Sequence, residues 1–127
     1  MPSSQADSTT NIRFAMIGCG RMGRHHSEKM IEDGRGEVVA LFDAQPSMAE
    51  RLKADLWPSA WVAKTFDELM SREGIDAAII CTPTAEHYLQ SKACLSHGWH
   101  VLCEKPLASN REQILELMRL ADEATSK

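Results

Sequence analysis

Residues 11–34 read NIRFAMIGCGRMGRHHSEKMIEDG. A short apolar run, Phe14-Ala15-Met16-Ile17, breaks at Gly18. After Gly20 the pattern changes: Met22, His26 and Met30 recur at helical spacing, and Gly34 supplies a helix stop. The segment therefore reads as strand, glycine turn, helix. That unit opens an α/β fold, because a buried strand feeding a helix returns to the sheet as a parallel crossover.

The turn carries Gly18, Gly20 and Gly23 as G-x-G-x-x-G, in the context that gives this spacing meaning. Gly18 permits the tight turn. Gly20 lets a pyrophosphate approach the backbone, and Gly23 lets helix and strand pack closely. The cofactor-binding turn comprises Gly18, Cys19, Gly20, Arg21, Met22 and Gly23. Its first helical N–H groups, near Arg21 and Met22, face the phosphates with the positive end of the helix dipole.

Outward from this turn the alternation continues. EVVALFD (37–43) is a second strand, and PSMAERLKADL (46–56) a helix with Pro46 in its first turn. AWVAKT (60–65) is a third, short strand, and Asp67 is placed to cap a brief helix at 68–73. DAAIICT (76–82) is a fourth strand, followed by a helix that closes at Gly98. HVLCE (100–104) is a fifth strand. Ser109 or Asn110 caps a last helix, 111–125, with Ile114, Leu117, Met118 and Ala121 on one face. Continuous apolar strands separated by helices predict a Rossmann-type doubly wound, mainly parallel sheet covered on both faces. Residues 1–10 form a polar leader, expected to be disordered, and 11–127 the domain.

Asp43 ends the second strand, 20 residues after Gly23. A carboxylate there accepts hydrogen bonds from adenosine ribose hydroxyls and repels a 2′-phosphate, which favours NAD over NADP. The competing role for Asp43 is to start the turn before Pro46. Arg51, in the following helix, weakens the cofactor preference. Methyltransferases that use S-adenosylmethionine also pair a glycine turn with an acidic residue, but the three-glycine spacing fits dinucleotides better.

Composition narrows the partners. The net charge of −4 argues against nucleic acid, which needs clustered Lys and Arg. No segment approaches the roughly 18 apolar residues of a membrane helix. The N-terminus lacks the basic-then-apolar pattern of a secretory signal. The four cysteines form no C-x-x-C pair and read as reduced thiols of a cytoplasmic protein. No metal site is expected, because the His and Cys spacing is too wide and the adjacent His25 and His26 diverge on a helix.

AMIGCGRMG (15–23), Asp43, FDELMS (66–71), IDAAIICTPTAEH (75–87) and CEKPLA (103–108) together resemble the Gfo/Idh/MocA oxidoreductases, which include glucose–fructose oxidoreductase and inositol dehydrogenases. The pairing of T-P-x-x-x-H with E-K-P is more specific than the glycine turn. His87, in the first turn of the helix after Pro83, is expected near the cleft rather than deep in the core, its competing role being that of a structural or solvated helix histidine; the resemblance implies that Thr82, Pro83 and His87 line the dinucleotide cleft. It places Glu104 by the nicotinamide ribose and makes Lys105 catalytic, hydrogen-bonded to the reacting hydroxyl. A cation beside that oxygen stabilises the charge that develops as hydride departs. The resemblance also implies a sugar or polyol substrate, a homo-oligomer, and a second domain that supplies the substrate pocket. The chain is then expected to be the cofactor-binding half, inactive alone. A non-catalytic dinucleotide-binding regulator is the alternative.

Overall fold

The computed structural model describes residues 11–104 and 111–125. Lys105, Pro106, Ser109, Asn110 and the leader lie outside the described residues. Five strands form one parallel sheet: β1 Ile12–Ile17, β2 Gly36–Phe42, β3 Trp61–Val62, β4 Ala77–Ile80 and β5 His100–Cys103. Their order across the sheet is β3-β2-β1-β4-β5. Helices α1 Arg21–Asp33, α2 Pro46–Leu56, α3 Phe66–Met70 and α4 Thr84–Ser96 connect them, and α5 Arg111–Thr125 follows β5. This is the doubly wound architecture expected from the alternation.

Both sheet faces are covered because alternate strand residues feed two apolar layers. Met16, Leu41 and Ile79 pack with Ala49 and Leu52 of α2. Their neighbours Ala15, Ile17, Ala78 and Ile80 pack on the opposite face with Leu69 of α3 and Cys94 of α4. Winding starts at β1 and runs outward in both directions. The carboxyl ends of β1 and β4 therefore flank the point where the order reverses, and ligands of such sheets sit there.

The packing defines two helix faces and corrects one cap. On α1 the face turned to the sheet is Gly23 and Ser27, whereas Met22 is exposed and His26 and Met30 are half-buried. The helix lies so close that a Cβ on Gly23 would stand 2.3 Å from the Gly18 carbonyl oxygen, so small residues must face inward. The cap of α3 is Thr65, not Asp67; its side chain accepts the Glu68 N–H at 3.0 Å. The extended backbone of Thr65 suits a cap, and Asp67 falls within the first turn, where it favours the dipole. Among the described residues of α5 Leu117 is fully buried, Ile114 and Ala121 are half-buried and Met118 is exposed. Gly34, in the left-handed region at φ 80°, ends α1 as its position predicts.

Candidate functional site: a dinucleotide cleft at the switch point

The glycine turn begins where β1 ends. Gly18 has φ +95°, and a Cβ there would lie 2.7–2.8 Å from the backbone of Cys81 and Thr82. Only glycine satisfies both demands. Gly23 is equally constrained by its approach to Gly18. Gly20 differs: the nearest atom a Cβ would meet is the Met48 terminal methyl, at 3.8 Å. Packing does not require a glycine at position 20. Its bare backbone faces open space at the N-terminus of α1, where no side chain caps the helix and no acidic residue occupies the first turn.

Asp43 sits at the end of β2 and holds this turn together. Its Oδ2 accepts the Cys19 N–H at 2.7 Å, and its Oδ1 accepts the Gln45 N–H at 2.8 Å. Asp43 thus performs the turn-starting role and braces the glycine turn as well. Each carboxylate oxygen retains acceptor capacity for a hydroxyl. Cys19 is drawn inward: its amide serves Asp43 and its thiol is buried. Burial, then the neighbouring Asp43, pushes that thiol up to about 12. Cys19 shapes the turn and does not present a side chain to the cleft.

Between these elements lies a cleft of about 540 Å³, reached by Gly18, Gly20, Phe42, Asp43, Thr82 and Pro83. Phe66 and Leu89 extend its apolar wall, which accounts for Leu89 being 64% exposed on an otherwise packed helix. On the other side of the turn is a smaller hollow of about 330 Å³ bordered by Arg21, Arg24, Met48, Arg51 and Asp55. There Arg24 donates to Asp55 at 2.8 Å. Arg21 and Met22 both begin α1 at the rim.

His87 is not at the cleft surface. It is 2% exposed, and its Nε2 donates to the Thr82 carbonyl at 2.7 Å. The first turn of α4 points this ring back under the loop, so His87 fixes the Thr82–Pro83 backbone from below. Gln90, one turn further on, does the same from the side, its Oε1 accepting the Thr82 hydroxyl at 2.6 Å. Thr82 and Pro83 line the cleft as expected. Lys105, the residue expected to be catalytic, lies outside the described residues.

Glu104 follows β5, its N–H donating to the Ile80 carbonyl at 3.1 Å. Its carboxylate accepts from His26 Nε2 on α1 at 2.5 Å. The Cys81 sulfur completes a trio whose ligand atoms lie within 4.8 Å of one another. Sequence spacing missed this trio because its members are dozens of residues apart, on three different elements. Its donor types suit zinc, but His26 and Glu104 already satisfy each other. Burial, then Glu104, pushes the Cys81 thiol up to about 12, which disfavours the thiolate that a metal needs. All four cysteines are unpaired thiols.

Residues 12–127 match the oxidoreductase family with an NAD-binding Rossmann fold. Inositol 2-dehydrogenase 1 of Mycolicibacterium vanbaalenii is 36% identical over 111 residues, which cover 87% of this chain and 32% of that protein. The WlbA dehydrogenase of Bordetella pertussis, solved with NADH and UDP-GlcNAcA, superposes with a TM-score of 0.84 at 28% identity, over 93% of this chain and 35% of that one. The 3-ketoreductase KijD10 of Actinomadura kijaniata, solved with NADP, gives 0.83 at 26% identity, over 91% and 35%. The chain spans about a third of the length of these relatives. With the family matched over nearly all of the described residues, the chain belongs to the Gfo/Idh/MocA oxidoreductases.

Proposed function

We propose that the chain binds NAD across the switch-point cleft, as the cofactor domain of an oxidoreductase that moves hydride between nicotinamide and a sugar or polyol hydroxyl or carbonyl. Gly20 is the observation that carries this reading. It is a glycine that the fold itself does not demand, at an uncapped helix N-terminus beside a cleft. A backbone left bare there has room for a pyrophosphate, whose charge matches the unspent N–H dipole.

The remaining residues fall into roles by position. The backbone at Gly20, Arg21 and Met22 holds the phosphates. Asp43 offers its remaining acceptor sites to the adenosine ribose. Phe42, Phe66 and Leu89 give an apolar slot for the adenine ring, with Pro83 at its edge. His87 and Gln90 hold the loop that carries Thr82. When bound, the nicotinamide supplies the hydride chemistry; the protein orients it and excludes water. The family resemblance assigns Lys105 to the alcohol oxygen, where a cation would stabilise the oxygen as it loses its proton. Inositol dehydrogenases and sugar-nucleotide dehydrogenases among the relatives support the substrate class. The arginine-rich hollow beside Gly20 bears on the choice of cofactor, because Arg21 and Arg51 border it.

Calorimetric titration tests the reading. NAD is expected to bind with a Kd in the micromolar-to-millimolar range, an order-of-magnitude figure, and more tightly than NADP. Asp43→Asn removes the charge and one of the two acceptor oxygens that serve Cys19 and Gln45, so it should weaken NAD and narrow its advantage over NADP. Absence of heat and of any melting-temperature shift at millimolar NAD would refute the site. Equal loss for both cofactors would remove Asp43 as the residue that discriminates between them.

A further inference from the structure

We propose that His26 is a positioning residue for the nicotinamide half of the dinucleotide, acting through Glu104; the proposal rests on the NAD reading above. His26 lies in the second turn of α1, the helix whose N-terminus opens on the cleft. Its Nε2 donates to Glu104 Oε2 at 2.5 Å across 78 residues of sequence. The two side chains are only 25% and 34% exposed, so the bond is partly shielded from solvent. Charge-assisted bonds of this length are among the stronger ones.

The location gives the bond its consequence. Among the described residues, α1 and α2 pack over β1 and β2 on this face, and Leu102 of the outer strand β5 is 53% exposed. Nothing in the apolar packing of α1 orients Glu104. The imidazole does, holding a carboxylate that would otherwise sample several rotamers at the edge of the sheet. Cys81 links this pair to the cleft. It lines the 540 Å³ space, and its sulfur lies within 4.8 Å of a His26 ring nitrogen and a Glu104 carboxylate oxygen.

Topology then separates the two halves of the ligand. Asp43 ends β2, on one side of β1, whereas Glu104 follows β5, on the other side beyond β4. A dinucleotide with its ribose at Asp43 and its phosphates at Gly20 directs its other half toward β4 and β5. The adenosine half never reaches Glu104. Loss of His26 therefore weakens NAD while sparing a ligand that ends at the pyrophosphate.

The experiment titrates NAD and ADP separately into the wild-type chain and into His26→Ala, His26→Gln and Glu104→Gln, with a thermal melt of each. His26→Ala is expected to weaken NAD about tenfold and to change ADP by less than about twofold. His26→Gln, whose carboxamide retains a donor, should recover most of the NAD affinity. Glu104→Gln should reproduce the NAD-selective loss from the other end of the bond, and it decides the matter if His26→Ala does not fold. Equal losses for NAD and ADP would make His26 a merely structural residue and overturn the proposal, as would unchanged NAD binding. A wild-type chain that binds neither ligand would instead overturn the dinucleotide reading, and the proposal with it.

Discussion

The N-termini of α1 and α3 are built in opposite ways. At α3, Thr65 accepts the Glu68 N–H, Glu68 reaches back to the Lys64 N–H at 2.7 Å, and Asp67 and Glu68 place negative charge in the first turn. A side-chain cap, a reach-back bond and first-turn acids are combined within five residues. At α1 the cap is Gly20, without a side chain, followed by Arg21, Met22 and Gly23, without an acid. A helix of 13 residues is left less well capped than one of 5. The difference separates a helix start closed by its own side chains from one whose N–H donors no capping side chain takes up, which is where the proposed reading puts the phosphates.

Four variants or conditions test that contrast. The largest effect is expected from Gly18→Ala. A Cβ would collide with the Cys81–Thr82 backbone while the residue is held at positive φ. Strain and overpacking together should cost on the order of 2–5 kcal/mol, read as a lowered denaturation midpoint; a stable variant would mean that the turn is not tightly held. Gly20→Asp comes next and should separate stability from binding. It has room, and it adds a cap worth a few tenths of a kcal/mol over glycine. Yet it sets a negative charge against the phosphates and should weaken NAD by about tenfold or more. A variant that binds NAD normally would break the comparison.

Thr65→Ala should cost about 1 kcal/mol of stability and leave NAD affinity unchanged, because α3 caps itself and nothing more. A loss of binding there would show that the two helix starts are not independent. A last prediction concerns the buried thiols and reads the fold through pH. Burial pushes Cys19, Cys81 and Cys94 from 9.0 up to about 12 in the folded chain. A raised thiol pKa means that the folded state keeps its protons longer. This contribution is therefore fully present below pH 9 and is lost as the pH rises from 9 towards 12. Denaturation midpoints followed over that window should decline, and thiol alkylation of the native chain at pH 8 should be slow. Rapid alkylation of Cys19 would show that the turn opens readily.

The legible features were those written in local spacing. The glycine pattern, the apolar runs and Gly34 gave the strand–turn–helix unit, and the parallel sheet followed from the alternation. Misread features depended on which side of an element met a neighbour. Met22, His26 and Met30 have helical spacing, yet the fully buried residues of α1 are Gly23 and Ser27, with Met30 half-buried against the apolar layer, because close approach at the turn favours small atoms. His87 looked like a cleft residue from its place in the first turn of α4. Its ring is instead turned beneath the loop to bind the Thr82 carbonyl, a choice made by backbone geometry that no spacing records. Asp67 was a plausible cap, but Thr65 holds the extended backbone that a cap requires.

By itself the sequence determined the class of fold, the position of the glycine turn and the carboxylate at the end of β2. These depend on residue types at fixed short separations, where steric and hydrogen-bonding demands are local. Only the tertiary structure decided that Gly20 is free of packing demands while Gly18 and Gly23 are not. It also joined His26 to Glu104 and made Asp43 a brace for the turn. Those outcomes depend on where separate strands end relative to one another, which is set by sheet order and helix approach, not by any run of residues along the chain.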